Sequence, residues 1–190
     1  MQLVFATNNL NKLKEVQALI PKHITLLSLK DINCLDDIPE TENTIKGNAL
    51  LKAKYVKEHY GYDCFADDTG LEIEALDGAP GVYSARYAGA QCNAEDNMNK
   101  LINELADKDN KKAQFKTVIA LLLNGNQICF TGICKGQITS VKQGDKGFGY
   151  DPIFKPNHYD ITFAEMDLEL KNNIGHRGKA VSQLVDYLNS

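Results

Sequence analysis

Two short segments in the second half of the chain combine residue types that suit a nucleotide. In Phe148-Gly149-Tyr150-Asp151, aromatic rings able to stack on a base flank a glycine that leaves the backbone permissive. In His176-Arg177-Gly178-Lys179, hydrogen-bond donors and cations are clustered. Aromatic faces, a carboxylate and cations are the parts needed to hold a base at one end and phosphates at the other. The two segments therefore predict a nucleotide site.

Each segment also has a structural interpretation. The first, taken alone, is more typical of a glycine-rich turn whose aromatic rings enter the core. The second is predicted to lie immediately before the last helix, where the helix N-terminus would reinforce anion binding by Arg177. Cations at that end oppose the helix dipole unless an anion is bound, which favours a functional role. Lys171, five residues before His176, is a further candidate cation.

A turn near the N-terminus offers another way to bind phosphate. It follows a short apolar strand and precedes a helix, so its N–H groups and the helix dipole favour an anion. The six residues of this turn are Thr7, Asn8, Asn9, Leu10, Asn11 and Lys12. The turn lacks the glycine spacing of a P-loop or of a dinucleotide fingerprint. An ordinary capped turn therefore remains an alternative.

Two adjacent carboxylates, Asp67 and Asp68, follow an apolar strand and precede Thr69-Gly70. Proteins of the α/β class place ligands at strand ends, and successive side chains of a strand point to opposite faces. One of the two is therefore expected to face a substrate, where it would bind Mg²⁺ or deprotonate a water. The alternatives are a turn cap and an aspartic protease, although the Asp-Thr-Gly signature occurs only once and that mechanism needs two carboxylates.

Composition excludes several classes of function. The chain has 190 residues, 43% of them apolar and 24% charged, which predicts one soluble domain over 1–190. A net charge of -4 gives no basic excess for a nucleic acid polymer. The five cysteines include no C-x-x-C pair and indicate reduced thiols in a cytoplasmic protein. No signal peptide and no long apolar segment is apparent, so we expect no membrane association.

The hydrophobic pattern predicts an α/β fold with a mixed sheet. The predicted strands are Leu3–Ala6, Ile24–Leu29, Cys64–Ala66, Phe115–Leu123 and Gln127–Cys134. The predicted helices are Leu13–Ile20, Thr44–Tyr60, Met98–Leu105 and Lys179–Leu188. Asn124-Gly125 is a strong hairpin signal because both residues tolerate positive φ.

Five blocks of sequence together carry a family resemblance. They are Thr7-Asn8-Asn9-x-x-Lys12, Ala66 to Leu71, Gly78 to Tyr87, Gly147 to Phe154 and His176-Arg177-Gly178. In this order and spacing the chain closely resembles the inosine triphosphate pyrophosphatase family over nearly its whole length. The resemblance implies Mg²⁺-dependent hydrolysis of the deaminated purine nucleotides ITP, dITP and XTP to the monophosphate and pyrophosphate.

The resemblance also implies an architecture and a set of site residues. It implies a homodimer of two-lobed α/β subunits, each with a long central mixed β-sheet flanked by helices and a site in the cleft between lobes. By its position in the motif, Asp68 looks like the family's metal ligand and general base, and Thr69 stands where the family usually has Ser. The residues that resemble the substrate contacts are Thr7, Asn8, Asn9, Leu10, Asn11, Lys12, Thr69, Phe148, Gly149, Tyr150, Asp151, Lys171, His176 and Arg177.

Two departures from the family pattern accompany this resemblance. Gly47 stands where the family typically has a second metal-site Glu, and Glu40 or Glu42 is the candidate to replace it. Gly175 stands where the family favours Ser. Two other functions are conceivable, namely a Maf-type pyrophosphatase of modified pyrimidine nucleotides and a nucleotide sensor without catalytic activity.

Overall fold

The structure, a computed structural model, describes all 190 residues. The chain forms seven strands and five α-helices, and strands alternate with helices up to residue 60. The strands are β1 (Gln2–Phe5), β2 (Thr25–Ser28), β3 (Cys64–Ile73), β4 (Pro80–Gly81), β5 (Lys112–Leu123), β6 (Asn126–Ile138) and β7 (Phe154–Pro156). The helices are α1 (Leu10–Gln17), α2 (Ile45–Tyr60), α3 (Ala94–Leu105), α4 (Leu168–Ile174) and α5 (His176–Leu188).

All seven strands belong to one mixed sheet with the order β2-β1-β3-β5-β6-β7, and β4 pairs with β3. The β1 strand pairs in parallel with β2 and with β3, whereas β3 with β4 and β6 with β7 are antiparallel pairs. The predicted hairpin is confirmed, because Asn124 and Gly125 join β5 to β6 with φ of 50° and 80°. The predicted α/β class with a mixed sheet is therefore confirmed.

The chain divides into two compact units. The first unit comprises residues 1–68, 117–132 and 176–190. Its core is built from β1, the start of β3, the middle of the β5–β6 hairpin, α1 and α5. Phe5 and Phe65 stack on neighbouring strands with ring centroids 4.7 Å apart, and Val16 and Leu184 are fully buried in the same cluster.

The second unit comprises residues 69–116 and 133–175. Its core gathers apolar residues from the later part of β3, α3, β5, β6 and β7. Phe154 is the centre of an aromatic group, with Phe115 at 4.7 Å and Phe163 at 5.0 Å between ring centroids. Each unit thus buries an apolar core of its own.

Three sequence predictions about elements near the candidate site need correction. The β3 strand does not end at Ala66 but continues to Ile73, so Asp67 and Asp68 lie within the strand. The last helix begins at His176 rather than Lys179. Helix α4 was not predicted, although Asp167 caps it by accepting a hydrogen bond from the Leu170 N–H at 2.8 Å.

Candidate functional site

Asp67 is the centre of a buried ion cluster in the first unit. Its Oδ1 atom accepts a hydrogen bond from Lys12 Nζ at 3.0 Å, and its Oδ2 atom accepts one from Arg177 Nε at 3.0 Å. Burial would raise the pKa of the Asp67 carboxyl, but the attraction of Lys12 and Arg177 outweighs burial and holds that pKa well below its usual range. Asp67 is therefore ionised and binds two cations.

Arg177 joins this cluster to helix α1. Its Nη1 atom donates to Glu15 on α1, and its Nε atom donates to Asp67, so one guanidinium binds two carboxylates. Arg177 is only 2% exposed, and it lies in the first turn of α5 rather than before the helix. The two carboxylates compensate the charge that the helix dipole disfavours at this end. The sequence suggested that a bound anion is needed to offset a cation at this helix end, but Glu15 and Asp67 already supply the negative charge.

Asp68 has different partners, as expected for adjacent residues of one strand. Lys52 Nζ of α2 lies 3.5 Å from Asp68 Oδ1, and Asn48 Nδ2 donates to Asp68 Oδ2 at 3.3 Å. Burial raises the pKa of the Asp68 carboxyl above its usual value, although Lys52 and Lys12 oppose the shift. The two neighbouring carboxylates therefore have pKa values displaced in opposite directions.

Glu40 lies in the loop before α2 and shares Lys52 with Asp68. Lys52 Nζ donates to Glu40 Oε1 at 2.6 Å. Burial alone would lower the pKa of the Lys52 ammonium, but the carboxylates of Asp68, Asp67 and Glu40 outweigh it and raise that pKa. One cation is thus held between two carboxylates that come from different elements.

The N-terminal turn is capped in this structure. Asn9 is the N-cap of α1, and its Oδ1 atom accepts from the N–H groups of Asn11 at 2.9 Å and Lys12 at 3.1 Å. Thr7 Oγ1 accepts from the Asn9 N–H at 3.2 Å. Residues 8–11 are exposed, whereas burial lowers the pKa of the Lys12 ammonium despite the nearby Asp67. Of this turn, Lys12 alone joins the ion cluster, and a phosphate-binding role for the rest stays a prediction.

The second unit contains another group of predicted site residues. Lys171 Nζ donates to Asp151 Oδ2 at 2.6 Å, and the same oxygen accepts from the Phe148 N–H at 2.7 Å. The Lys171 ammonium also lies 4.9 Å from the centre of the Phe148 ring. Such a buried carboxylate fixes both the loop backbone and the cation.

Gly147 is required by this arrangement. Its φ is +73°, and a Cβ there would lie 2.1 Å from Asp151 Oδ2. Gly149 also has positive φ, at +64°. Tyr150, in contrast, is buried in the core, and its hydroxyl donates to the Ser84 carbonyl at 2.8 Å. The Tyr150 ring therefore enters the core, as the structural interpretation of this segment expected, while stacking of Phe148 on a base stays a prediction.

His176 and Thr69 complete the set of predicted residues. His176 begins α5 and is buried in the first unit, and Thr69 follows Asp68 in β3 and is half-buried. The structure therefore brings Lys12, Asp68 and Arg177 into the first unit with His176, and Phe148 to Asp151 into the second unit with Lys171.

Sequence reasoning missed Glu15, Asn48 and Lys52, all of which are buried in the first unit. Their positions carried a signal. Asn48 and Lys52 are four residues apart on the face of α2 that also buries Ala49 and Val56, so a polar pair lies on an apolar stripe. Glu15 is three residues after Lys12 and lies beside the buried Val16. Polar residues on a buried helix face indicate buried partners.

No group of three or more His, Cys, Asp and Glu side chains is arranged to hold a metal ion. The carboxylates of Asp68 and Glu40 nevertheless both contact the Lys52 ammonium.

None of the helices combines the length and the hydrophobicity that a membrane crossing requires. All five cysteines are free thiols.

Comparisons with known proteins agree on one family. The sequence pattern of the Ham1 family matches residues 3–187. A dITP/XTP pyrophosphatase of Flavobacterium johnsoniae is 66% identical over 188 residues, which are 99% of this chain and 98% of the relative. A dITP/XTP pyrophosphatase of Porphyromonas gingivalis is 50% identical over 98% of this chain and 97% of the relative.

Solved structures show the same fold. The Staphylococcus aureus Ham1 protein is 36% identical and superimposes with a TM-score of 0.90, covering 100% of this chain and 98% of its own. A HAM1 protein from Coxiella burnetii is 37% identical with a TM-score of 0.91 and the same coverage. These findings confirm the resemblance seen in the five sequence blocks and exclude the aspartic protease interpretation. The chain belongs to the Ham1 family.

Proposed function

We propose that the protein is a nucleoside triphosphate pyrophosphohydrolase that converts ITP, dITP and XTP to the monophosphate and pyrophosphate. The relatives named dITP/XTP pyrophosphatase match almost the full chain, which supports this substrate class. The observation that carries the proposal is the buried cluster of the first unit, in which Lys12, Lys52, Asp67 and Asp68 meet. Removal of deaminated purine nucleotides before polymerases use them is the corresponding biological role.

The charges of this cluster support a divalent cation. Its cations are Lys12, Lys52 and Arg177, and its carboxylates are Glu15, Glu40, Asp67 and Asp68. Because the carboxylates outnumber the cations, a triphosphate would meet a net negative group unless a metal ion accompanies it. Mg²⁺ prefers oxygen ligands and is usually held by one or two carboxylates together with substrate phosphates. Asp68 and Glu40 fit that requirement.

We propose Glu40 rather than Glu42 as the second carboxylate. Glu40 shares Lys52 with Asp68, whereas the Glu42 side chain packs at Gly47, where a Cβ would lie 2.7 Å from the Glu42 Cβ. Glu42 therefore occupies the space that a side chain at position 47 would take. The carboxylate that shares Lys52 with Asp68 is Glu40.

Each side chain has a distinct role in the proposed reaction. Bound Mg²⁺ would supply charge neutralisation on the phosphates and would acidify a bound water. Asp68 orients a water towards the α-phosphorus and accepts its proton. Lys12 and Lys52 neutralise the charge that develops on the leaving pyrophosphate. Contacts of Phe148, Lys171, His176 and Arg177 with the nucleotide stay predictions.

Asp68→Asn tests the catalytic role. Loss of a general base typically costs about 10²–10⁴-fold in turnover, so the variant should lose at least about 10²-fold of pyrophosphate release from ITP. Asp63→Asn is a matched control, because Asp63 lies just before the same strand and pairs with the partly exposed Lys57 at 2.9 Å. Near-normal turnover of Asp68→Asn at saturating Mg²⁺ would contradict the role given to Asp68.

A nucleotide panel tests the substrate class. Pyrophosphate release should be fastest with ITP, dITP and XTP and slow with ATP and GTP. Hydrogen-bond donors that suit a 6-oxo group would face another donor, the 6-amino group, on adenine, and for this reason ATP should be a poor substrate. Preference for dTTP and UTP would favour the Maf-type alternative. Tight ITP binding without pyrophosphate release would favour the sensor.

We also propose that the protein is a cytoplasmic homodimer. The five free cysteines support a reducing compartment, and the family resemblance supports the dimer. Sedimentation equilibrium should give twice the 21.1 kDa chain mass. A monomer at micromolar concentration would contradict the dimer, and localisation of a tagged protein would test the compartment.

A further inference from the structure

The loop that carries Glu40 has no regular secondary structure of its own. Residues 34–44 lie between β2 and α2 outside any helix or strand. Cys34 and Ile38 are buried and anchor the loop to the first unit, but Leu35 is 87% exposed. Besides these two apolar anchors, polar contacts with the helix that follows hold the loop on both sides of Glu40.

Asp36 makes the first of these contacts. Its Oδ2 atom accepts hydrogen bonds from the Tyr60 hydroxyl at 2.6 Å and from the Tyr55 hydroxyl at 3.0 Å. The Tyr55 ring packs against His59, with ring centroids 4.3 Å apart, which limits its freedom. One carboxylate thus ties the loop to two side chains of α2. We call this group, Asp36 with Tyr55 and Tyr60, the tyrosine clamp.

The second contact lies beyond Glu40. The Glu42 N–H donates to Asn48 Oδ1 at 2.9 Å, and Gly47 allows the loop to approach because it has no side chain. Glu40 is therefore four residues after one attachment to α2 and two residues before the other. Lys52, the partner of Glu40, lies on the same helix. Helix α2 consequently contacts the loop on both sides of Glu40, and it also carries Lys52, the cation that Glu40 binds.

We propose that the tyrosine clamp is a positioning device that holds Glu40 beside Asp68 for the metal ion. In this proposal the clamp residues act through Glu40 and not by contact with the ion or the nucleotide. They act by keeping the Glu40 backbone at a fixed distance from α2, so that the carboxylate does not have to be ordered when the ion binds. This inference rests on the proposed function, because it assigns Glu40 to the metal site.

The clamp is tested by a variant that removes only the two hydroxyls, Tyr55→Phe with Tyr60→Phe. Loss of groups that orient metal ligands typically weakens metal affinity about 10–100-fold, and the clamp acts one step further away, so we expect roughly a 3- to 10-fold loss. The Mg²⁺ concentration for half-maximal pyrophosphate release from ITP should rise by that factor. The kcat at saturating Mg²⁺ should stay unchanged, which a general structural defect would not permit.

Mn²⁺ binding gives a readout that does not need turnover. Isothermal titration of nucleotide-free protein with Mn²⁺ should show the same 3- to 10-fold loss in the double variant, an estimate that again follows from the outer-shell effect. Tyr62→Phe is the control, because Tyr62 is an exposed tyrosine just after α2 and should leave the affinity unchanged. In a Glu40→Gln background, removal of the two hydroxyls should change nothing further.

The outcomes separate the clamp from the proposed function. Equal Mn²⁺ affinities of the wild type and the double variant would overturn the clamp, as would an undiminished effect in the Glu40→Gln background. Absence of Mn²⁺ binding to the wild type would also overturn it. If the wild type releases no pyrophosphate from any purine triphosphate, the proposed function fails, while the Mn²⁺ titrations still decide the clamp.

Discussion

Replacement of Asp67 by Asn should destabilise the protein strongly, because Asp67 is the shared partner of the buried Arg177 and of the partly buried Lys12. Its side chain is fully buried, and both of its oxygens accept charge-assisted hydrogen bonds at 3.0 Å, from Lys12 and from Arg177. An Asn amide keeps the size but removes the charge, and its NH₂ group would face a cation. Arg177 would keep Glu15 as a partner, whereas the partly buried Lys12 would lose its closest carboxylate.

The magnitude follows from the cost of leaving a buried charge without compensation. Each contact at 3.0 Å corresponds to roughly 5 kcal/mol of attraction at an effective dielectric constant of 20, before desolvation is subtracted. Breaking a buried pair by removing one partner costs about 3–5 kcal/mol net. For a chain of this length, each kcal/mol lowers Tm by about 2–4 °C, so a thermal scan of the variant should show a decrease of roughly 6–20 °C beside the loss of free energy in urea.

The assay is reversible urea unfolding followed by circular dichroism, with EDTA present so that metal binding does not contribute. The folded state lowers the pKa of Asp67 below the ordinary 3.8, so its stabilisation is fully present above that value and is lost as pH falls below it. The difference in unfolding free energy between wild type and variant should therefore be constant from about pH 7 to about pH 5 and smaller near pH 3.

Asp63→Asn is the control for this experiment, because the Asp63–Lys57 pair is partly exposed and should contribute less than about 1 kcal/mol. A loss below about 1 kcal/mol for Asp67→Asn would refute the reasoning, because it would mean that the buried cations need no carboxylate. An unchanged difference at low pH would also refute it, because the effect would then not depend on the charge of Asp67.

Two further substitutions test other parts of the account. Lys52→Met removes the ammonium shared by Glu40 and Asp68, so nucleotide-free protein should bind Mg²⁺ several-fold more tightly in isothermal titration; unchanged affinity would contradict competition between Lys52 and the ion. Gly147→Ala should lose about 2 kcal/mol or more of unfolding free energy, because the φ of +73° is strained and the new Cβ would displace Asp151. Gly61→Ala is its control, with φ of +77° and no atom near the Cβ, and should lose about 1 kcal/mol; equal losses in the two variants would show that Asp151 yields freely.

Local signals predicted much of the fold. The turn at Asn124-Gly125 and the end of α2 at Gly61, with φ of 77°, were both predictable because positive φ restricts the residue type. The β3 strand was predicted too short, because Asp67, Asp68 and Gly70 have low strand propensity. The buried cations that pair with Asp67 and Asp68 compensate for that propensity in the folded chain.

The candidate site was predictable in its residue types but not in its pairings. Arg177 and Asp67 are separated by 110 residues, and nothing in one sequence states that they meet. Lys52 was missed because a lysine on a helix is usually solvated, and only its register with buried alanines distinguishes it. The preference of Asp68 for Lys52 and of Asp67 for Lys12 depends on tertiary contacts that periodicity does not encode.

The most direct test of the central claim is hydrolysis of ITP with Mg²⁺ in ¹⁸O-labelled water, with pyrophosphate, orthophosphate and the monophosphate analysed separately by mass spectrometry. Attack on the α-phosphorus predicts one pyrophosphate for each monophosphate, with the label in the monophosphate. Label in pyrophosphate, or stepwise release of orthophosphate, would contradict the account.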